Sequence, residues 1–126
     1  MNQTVLITAA LFGITAILLG AFGAHAFKKL ISEEKLQSFE VGVRYQMYAA
    51  LSLLIIGYVG DFSMYSMRLS YYGISIGTFL FSTSIYLLSF GDFWKIRLRF
   101  LGPITPLGGL ILIIGWISLL VSFING

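Results

Sequence analysis

The sequence has no cysteine, which excludes disulfides, thiolate metal sites and cysteine nucleophiles and leaves no thiol marker of redox compartment. Charge is scarce too: Asp, Glu, Lys and Arg make up 10% of the chain, whereas soluble domains carry about 25%. The single histidine cannot build a multi-histidine zinc site within one chain, so no metal is expected. No G-x-S-x-G elbow, Gly-rich phosphate loop or paired-acid motif occurs, and with them goes the signature of a hydrolase or nucleotide enzyme. A non-enzyme without cofactors is the expectation.

What the chain does have is apolar length. Hydrophobic residues make up 58% of its 126 positions, far more than a core of that size needs in water. Val5 to Phe27 holds no Asp, Glu, Lys or Arg, and at about 1.5 Å per residue it can cross a hydrocarbon layer of about 30 Å. A secretory signal would also be apolar, and Ala24-His25-Ala26 has the small-x-small form of a cleavage site. However, the run exceeds the usual 7 to 15 residues of such a signal, and Met1-Asn2-Gln3-Thr4 lacks a basic side chain.

After Lys28 and Lys29, Ser32 followed by Glu33 and Glu34 predicts a helix N-cap with favourable first-turn charge. From there Leu36, Phe39, Val43, Met47, Ala50 and Leu54 recur at three- and four-residue steps, so the second helix has an amphipathic start. Its uncharged part, Tyr45 to Gly60, covers only about 24 Å, which draws Arg44 to the membrane edge, where it can snorkel. The expected architecture is all-α, an integral membrane four-helix bundle forming one domain over 1–126, with spans at about 5–27, 41–60, 69–90 and 101–124. Pro103 and Pro106 open the fourth helix, in a first turn where a missing N–H costs nothing.

Lys28, Lys29, Lys35, Arg44, Lys95, Arg97 and Arg99 belong to the first and third connections, and Arg68 alone to the second. The positive-inside rule therefore predicts both termini outside. The net charge of +3 sits in short loops, where it encodes orientation; the expected partners are the lipid bilayer and a homo-oligomer or larger membrane complex, with no nucleic acid.

Two sets of residues stand out. Ala16, Gly20 and Ala24 on the first helix and Gly73 and Gly77 on the third are small residues at helical spacing, the pattern that lets backbones approach inside lipid. His25, Arg44, Tyr45, Gln46 and Tyr48 form a candidate polar site, since the end of helix one and the start of helix two share an interface. A homo-oligomeric transporter or channel would line its route with His25, Tyr45 and Gln46, although no acidic residue lies deep in a span to couple protons. A redox module with quinone or haem near His25 would have one axial histidine per chain. The leading reading is a non-enzymatic structural or accessory membrane component, with the transporter as its alternative.

Gly20-Ala21-Phe22-Gly23-Ala24-His25, Tyr45-Gln46-Met47-Tyr48, Phe81-Ser82 with Ile85-Tyr86-Leu87, and Ile104-Thr105-Pro106-Leu107-Gly108-Gly109 with Gly115-Trp116 resemble the small YwdK/YgdD-like bacterial membrane proteins. Transmembrane protein 256 of eukaryotes is similar. The resemblance covers all four spans and implies a four-helix protein of the bacterial cytoplasmic membrane with no assigned reaction. It places His25 and Tyr45 in the two strongest motifs. Many relatives carry a histidine where Ala49 stands, and members differ at the equivalent of Arg44.

Overall fold

The computed structural model describes residues 1–126 as five α-helices and two single 3-10 turns, without strands. Helix α1 covers Gln3–His25 and α2 covers Glu33–Val59. Helix α3 covers Tyr65–Ser89, a one-turn α4 covers Gly91–Trp94, and α5 covers Ile104–Asn125. Apart from α4, each is long and apolar enough to cross a membrane.

Local chemistry accounts for the helix ends. The Asn2 side chain accepts a hydrogen bond from the Val5 N–H at 3.2 Å, and the Ser32 hydroxyl accepts one from the Lys35 N–H at 3.2 Å, so the N-cap expected at Ser32 is present. Pro103 caps α5 and Pro106 sits in its first turn, where neither interrupts a helical hydrogen bond. In the short second connection, Asp61 accepts hydrogen bonds from the Ser63 hydroxyl at 2.6 Å and the Ser63 N–H at 3.0 Å. These bonds stabilise the charged form and hold the Asp61 carboxyl below the ordinary aspartate range. Arg68 pins the same turn by donating to the carbonyls of Phe62 and Ser63 at 2.8 and 3.0 Å.

The long helices pack in chain order: α1 on α2, α2 on α3, and α3 most extensively on α5. The Asn2 N–H donates to the Gly57 carbonyl at 2.7 Å, tying the start of the chain to the end of α2. A 2.8 Å bond from Ser122 to Ser66 ties the end of α5 to the start of α3. Both termini and the second connection therefore share one end of the bundle, and the first and third connections, with most of the basic residues, share the other.

The core changes character along this axis. Toward the termini it is aliphatic, with Val5 and Ala9 of α1, Leu53 and Ile56 of α2, Met67 and Ile74 of α3, and Leu119 of α5 in one cluster. Toward the basic end it is aromatic. Phe27 meets Phe90 edge-on at 4.8 Å and Phe39 at 5.4 Å, and Phe39 lies 4.9 Å from Tyr86. Edge-to-face rings contribute about 0.5–1.5 kcal/mol beyond area burial.

The α3–α5 seam is built on glycine. A Cβ added at Gly73 would lie 2.5 Å from the Gly115 Cα, and one at Gly77 would lie 2.6 Å from the Leu112 nitrogen. Gly108 is equally close to the Phe81 backbone, at 2.5 Å. Lipid tails are as apolar as leucine, so helices gain little from hydrophobic burial there and depend on dispersion and close backbone contact.

The small residues of α1 are used less uniformly. Ala16 is buried, whereas Gly20 is half-buried with space for a methyl group 3.4 Å from Val43. Ala24 faces outward; Gly23 takes the contact with Phe39 instead. A turn of 100° per residue separates these neighbours, so the expectation of a packing role for Ala24 is off by one position.

Candidate functional site

The five residues of the expected polar site do not converge. Consecutive residues on a helix point about 100° apart, so Arg44, Tyr45, Gln46 and Tyr48 cannot all share one face of α2. His25, at the end of α1, and Arg44 are exposed. Tyr45 packs its ring 5.6 Å from Tyr48 and 5.0 Å from Phe81, and both tyrosines line a groove between α2 and α5. Gln46 alone turns inward. His25, Tyr45 and Gln46 therefore line no common route within one chain; the route expected of a transporter would run between subunits.

Two grooves result from the packing order. The one between α2 and α5 measures about 820 Å3 and is lined by Tyr45, Tyr48, Leu112, Trp116 and Leu120 among others; Ser52 is the sole polar aliphatic side chain. The other, of about 420 Å3, lies between α1 and α3 with α2 as its floor. Its apolar wall is formed by Leu11, Phe12, Leu19 and Phe79. Facing them are Thr15, Gln46, Thr78, Ser82, Thr83 and Tyr86.

Gln46 organises this second groove. Its amide nitrogen donates to the Phe12 carbonyl at 3.0 Å and to the Thr15 hydroxyl, and its amide oxygen accepts from the Tyr86 hydroxyl at 2.6 Å. Three helices are thereby joined through one side chain. Tyr86 reaches this position because residue 42 is glycine: a Cβ there would lie 2.7 Å from the tyrosine ring. One turn away the Ser82 hydroxyl donates to the Gly42 carbonyl at 2.8 Å, binding α3 to α2 a second time. In hydrocarbon such polar groups are tolerated when they are paired.

One is not paired. The Thr78 hydroxyl is buried and has no hydrogen-bond partner. Ser82 and Tyr86 entered the sequence reading only as parts of family motifs, and Thr15 and Thr78 not at all, because lone hydroxyls in apolar runs resemble ordinary helix residues that bond back to their own carbonyls. Their only signal is placement: Thr78, Ser82 and Tyr86 recur every four residues on one face of α3.

Residues 19–109 match the family model described as a protein of unknown function, DUF423. The chain belongs to that family. This DUF423 protein is 36% identical over 95% of its length to the UPF0382 membrane protein YwdK of Bacillus subtilis, 95% of which is covered. It is 38% identical to a UPF0382 membrane protein of Staphylococcus aureus and 35% identical to one of Staphylococcus haemolyticus, in each case over 93% of this chain and 92% of the relative. No solved structure matches. The DUF423 protein is thus a multi-pass membrane protein whose relatives carry names that assign no reaction. The Gly42–Tyr86 contact and the Gln46–Tyr86 bond fall within the stretch that matches the family model, whereas Phe12 and Thr15 precede it.

Proposed function

We propose that the protein is a non-enzymatic structural or accessory component of the bacterial cytoplasmic membrane, acting through contact with a larger membrane complex or with copies of itself. The reading rests on how its intramembrane polar side chains are used. Gln46 with Tyr86 and Thr15, Thr8 with Tyr71, Ser84 with Thr105, and Ser122 with Ser66 join one helix to another. Groups spent on internal cross-links serve rigidity, and a rigid bundle with short connections offers partners a fixed lateral surface. Extraction under mild conditions followed by native mass spectrometry tests this. A stoichiometric protein partner or a defined homo-oligomer is expected, and a bare monomer recovered repeatedly from the native membrane would overturn the proposal.

The same reading places both termini outside. The basic end of the bundle carries Lys28, Lys29, Lys35, Arg44, Lys95, Arg97 and Arg99, against Arg68 at the other end, and basic loops are retained on the cytoplasmic side. Because the chain has no cysteine, single cysteines report cleanly. In intact cells a membrane-impermeant maleimide is expected to label Ser63→Cys and to reach Lys29→Cys only after permeabilisation. The reverse pattern would invert the topology.

A further inference from the structure

The geometry points to the groove between α1 and α3 as a binding site for a neutral, membrane-soluble amphiphile whose carbonyl oxygen accepts a hydrogen bond from the Thr78 hydroxyl and whose apolar chain lies against Phe12, Leu19 and Phe79. This goes beyond the structural role and does not depend on it.

Four observations lead there. First, Thr78 lines the groove and is 1% exposed, and its buried hydroxyl finds no partner in the protein. A hydroxyl in hydrocarbon without a partner is costly, so a ligand that supplies one is bound more tightly than one that does not. Second, the neighbouring amide and phenol are committed elsewhere. Gln46 is engaged at both ends and the Tyr86 hydroxyl donates to it, which leaves Thr78 as the buried donor on offer, with the half-buried Thr83 beside it.

Third, no Lys, Arg, His, Asp or Glu lines the groove. A charged ligand would enter a low-dielectric site with no counter-charge, so the ligand is neutral. Fourth, the rim is open to lipid: Leu11 and Phe79 are 56% and 60% exposed, and the wall they belong to suits an alkyl or prenyl chain. A volume of about 420 Å3 is within the range of small-molecule sites.

Two kinds of membrane molecule carry that chemistry: a prenylated quinone, with ring carbonyls, and a neutral acyl glyceride, with ester carbonyls. Depth separates them. Thr78 lies about 18 Å along α3 from Phe90, near the middle of a hydrocarbon layer of about 30 Å. A quinone ring moves freely at that depth, whereas an ester has to be drawn inward from the interface.

The test uses the full-length protein in detergent. Bound fractions of a prenylated naphthoquinone, of diacylglycerol and of a carbonyl-free hydrocarbon, squalene, are compared by native mass spectrometry at matched concentrations. Binding of one carbonyl probe on the order of tenfold above squalene is expected, and which probe it is identifies the source. Thr78→Val keeps the shape and removes the hydroxyl, so it should erase that preference while leaving squalene binding unchanged; Thr78→Ser should restore it. Thermal unfolding of each variant without ligand confirms that the fold persists. If neither carbonyl probe exceeds squalene, or if Thr78→Val binds as the parent does, the hydroxyl bonds back within its own helix and the proposal fails.

Discussion

Replacing Gly77 by valine is expected to separate α3 from α5 and to cost about 3 kcal/mol or more, the upper end of overpacking penalties. The added Cβ would lie 2.6 Å from the Leu112 nitrogen and 2.9 Å from the Gly108 carbonyl oxygen. Both are backbone atoms, which cannot swing aside as a side-chain tip can. Relief requires the two helices to move apart along their whole seam, which forfeits the contacts at Gly73 and Gly115 as well. Gly109→Val is the control, because its Cβ would meet only the Phe81 ring at 3.7 Å, an ordinary contact. Unfolding titrations in mixed micelles, followed by helical circular dichroism, should show a large loss for Gly77→Val and less than about 1 kcal/mol for Gly109→Val. Equal effects would mean that the seam is not limited by backbone approach.

The second large effect is expected at Gln46. Gln46→Leu nearly preserves side-chain volume but removes the acceptor for the Tyr86 hydroxyl and the donor to Thr15 and Phe12. Thr15 keeps its bond to the Leu11 carbonyl, so the Tyr86 hydroxyl is the side-chain group left unpaired; that costs about 1–3 kcal/mol where it stays dry, and part is recovered if lipid-exposed edges admit water. The sign of a double variant makes the argument specific. Adding Tyr86→Phe to Gln46→Leu removes the stranded phenol, so the pair should be more stable than the sum of the single losses predicts. Additive losses would show that the two side chains do not act through one another.

The candidate site was only partly legible in the sequence. Gln46 was visible because an amide inside an apolar run is rare enough to notice. Tyr86 was visible only within a family motif, without a role, and Thr78 not at all, because tyrosine is common near membrane interfaces and threonine commonly satisfies its hydroxyl on its own helix. The signal that distinguishes them is relational: Gly42 on α2 makes room for Tyr86 on α3, and neither residue announces the other. His25 drew attention as the lone histidine, and the fold leaves it exposed at the end of α1, away from Gln46. Adjacency in sequence was a poor guide in α2, where Tyr45 and Gln46 line different grooves.

The packing residues divide in the same way. Gly73 and Gly77 were recognisable by spacing, but their pairing with Gly108 and Gly115 was not, since those two lie two turns apart on α5 and appear in the sequence only as parts of family motifs. Gly57 was overlooked altogether, although a Cβ there would lie 2.7 Å from Leu6 and it helps bring α1 onto α2.

By itself the sequence determined that this chain is helical, how many times it can cross a bilayer, where α2 and α5 begin, and which end of the bundle is basic. Those properties depend on local chemistry and on run length against a layer of fixed thickness, and both can be read along one dimension. Only the tertiary structure decided which helices touch, which face of α2 turns inward, and that one threonine is left without a partner. Inside lipid one apolar face is as good as another, so lateral pairing is selected by where backbones can approach and where polar side chains meet, and those matches exist only once the helices are side by side.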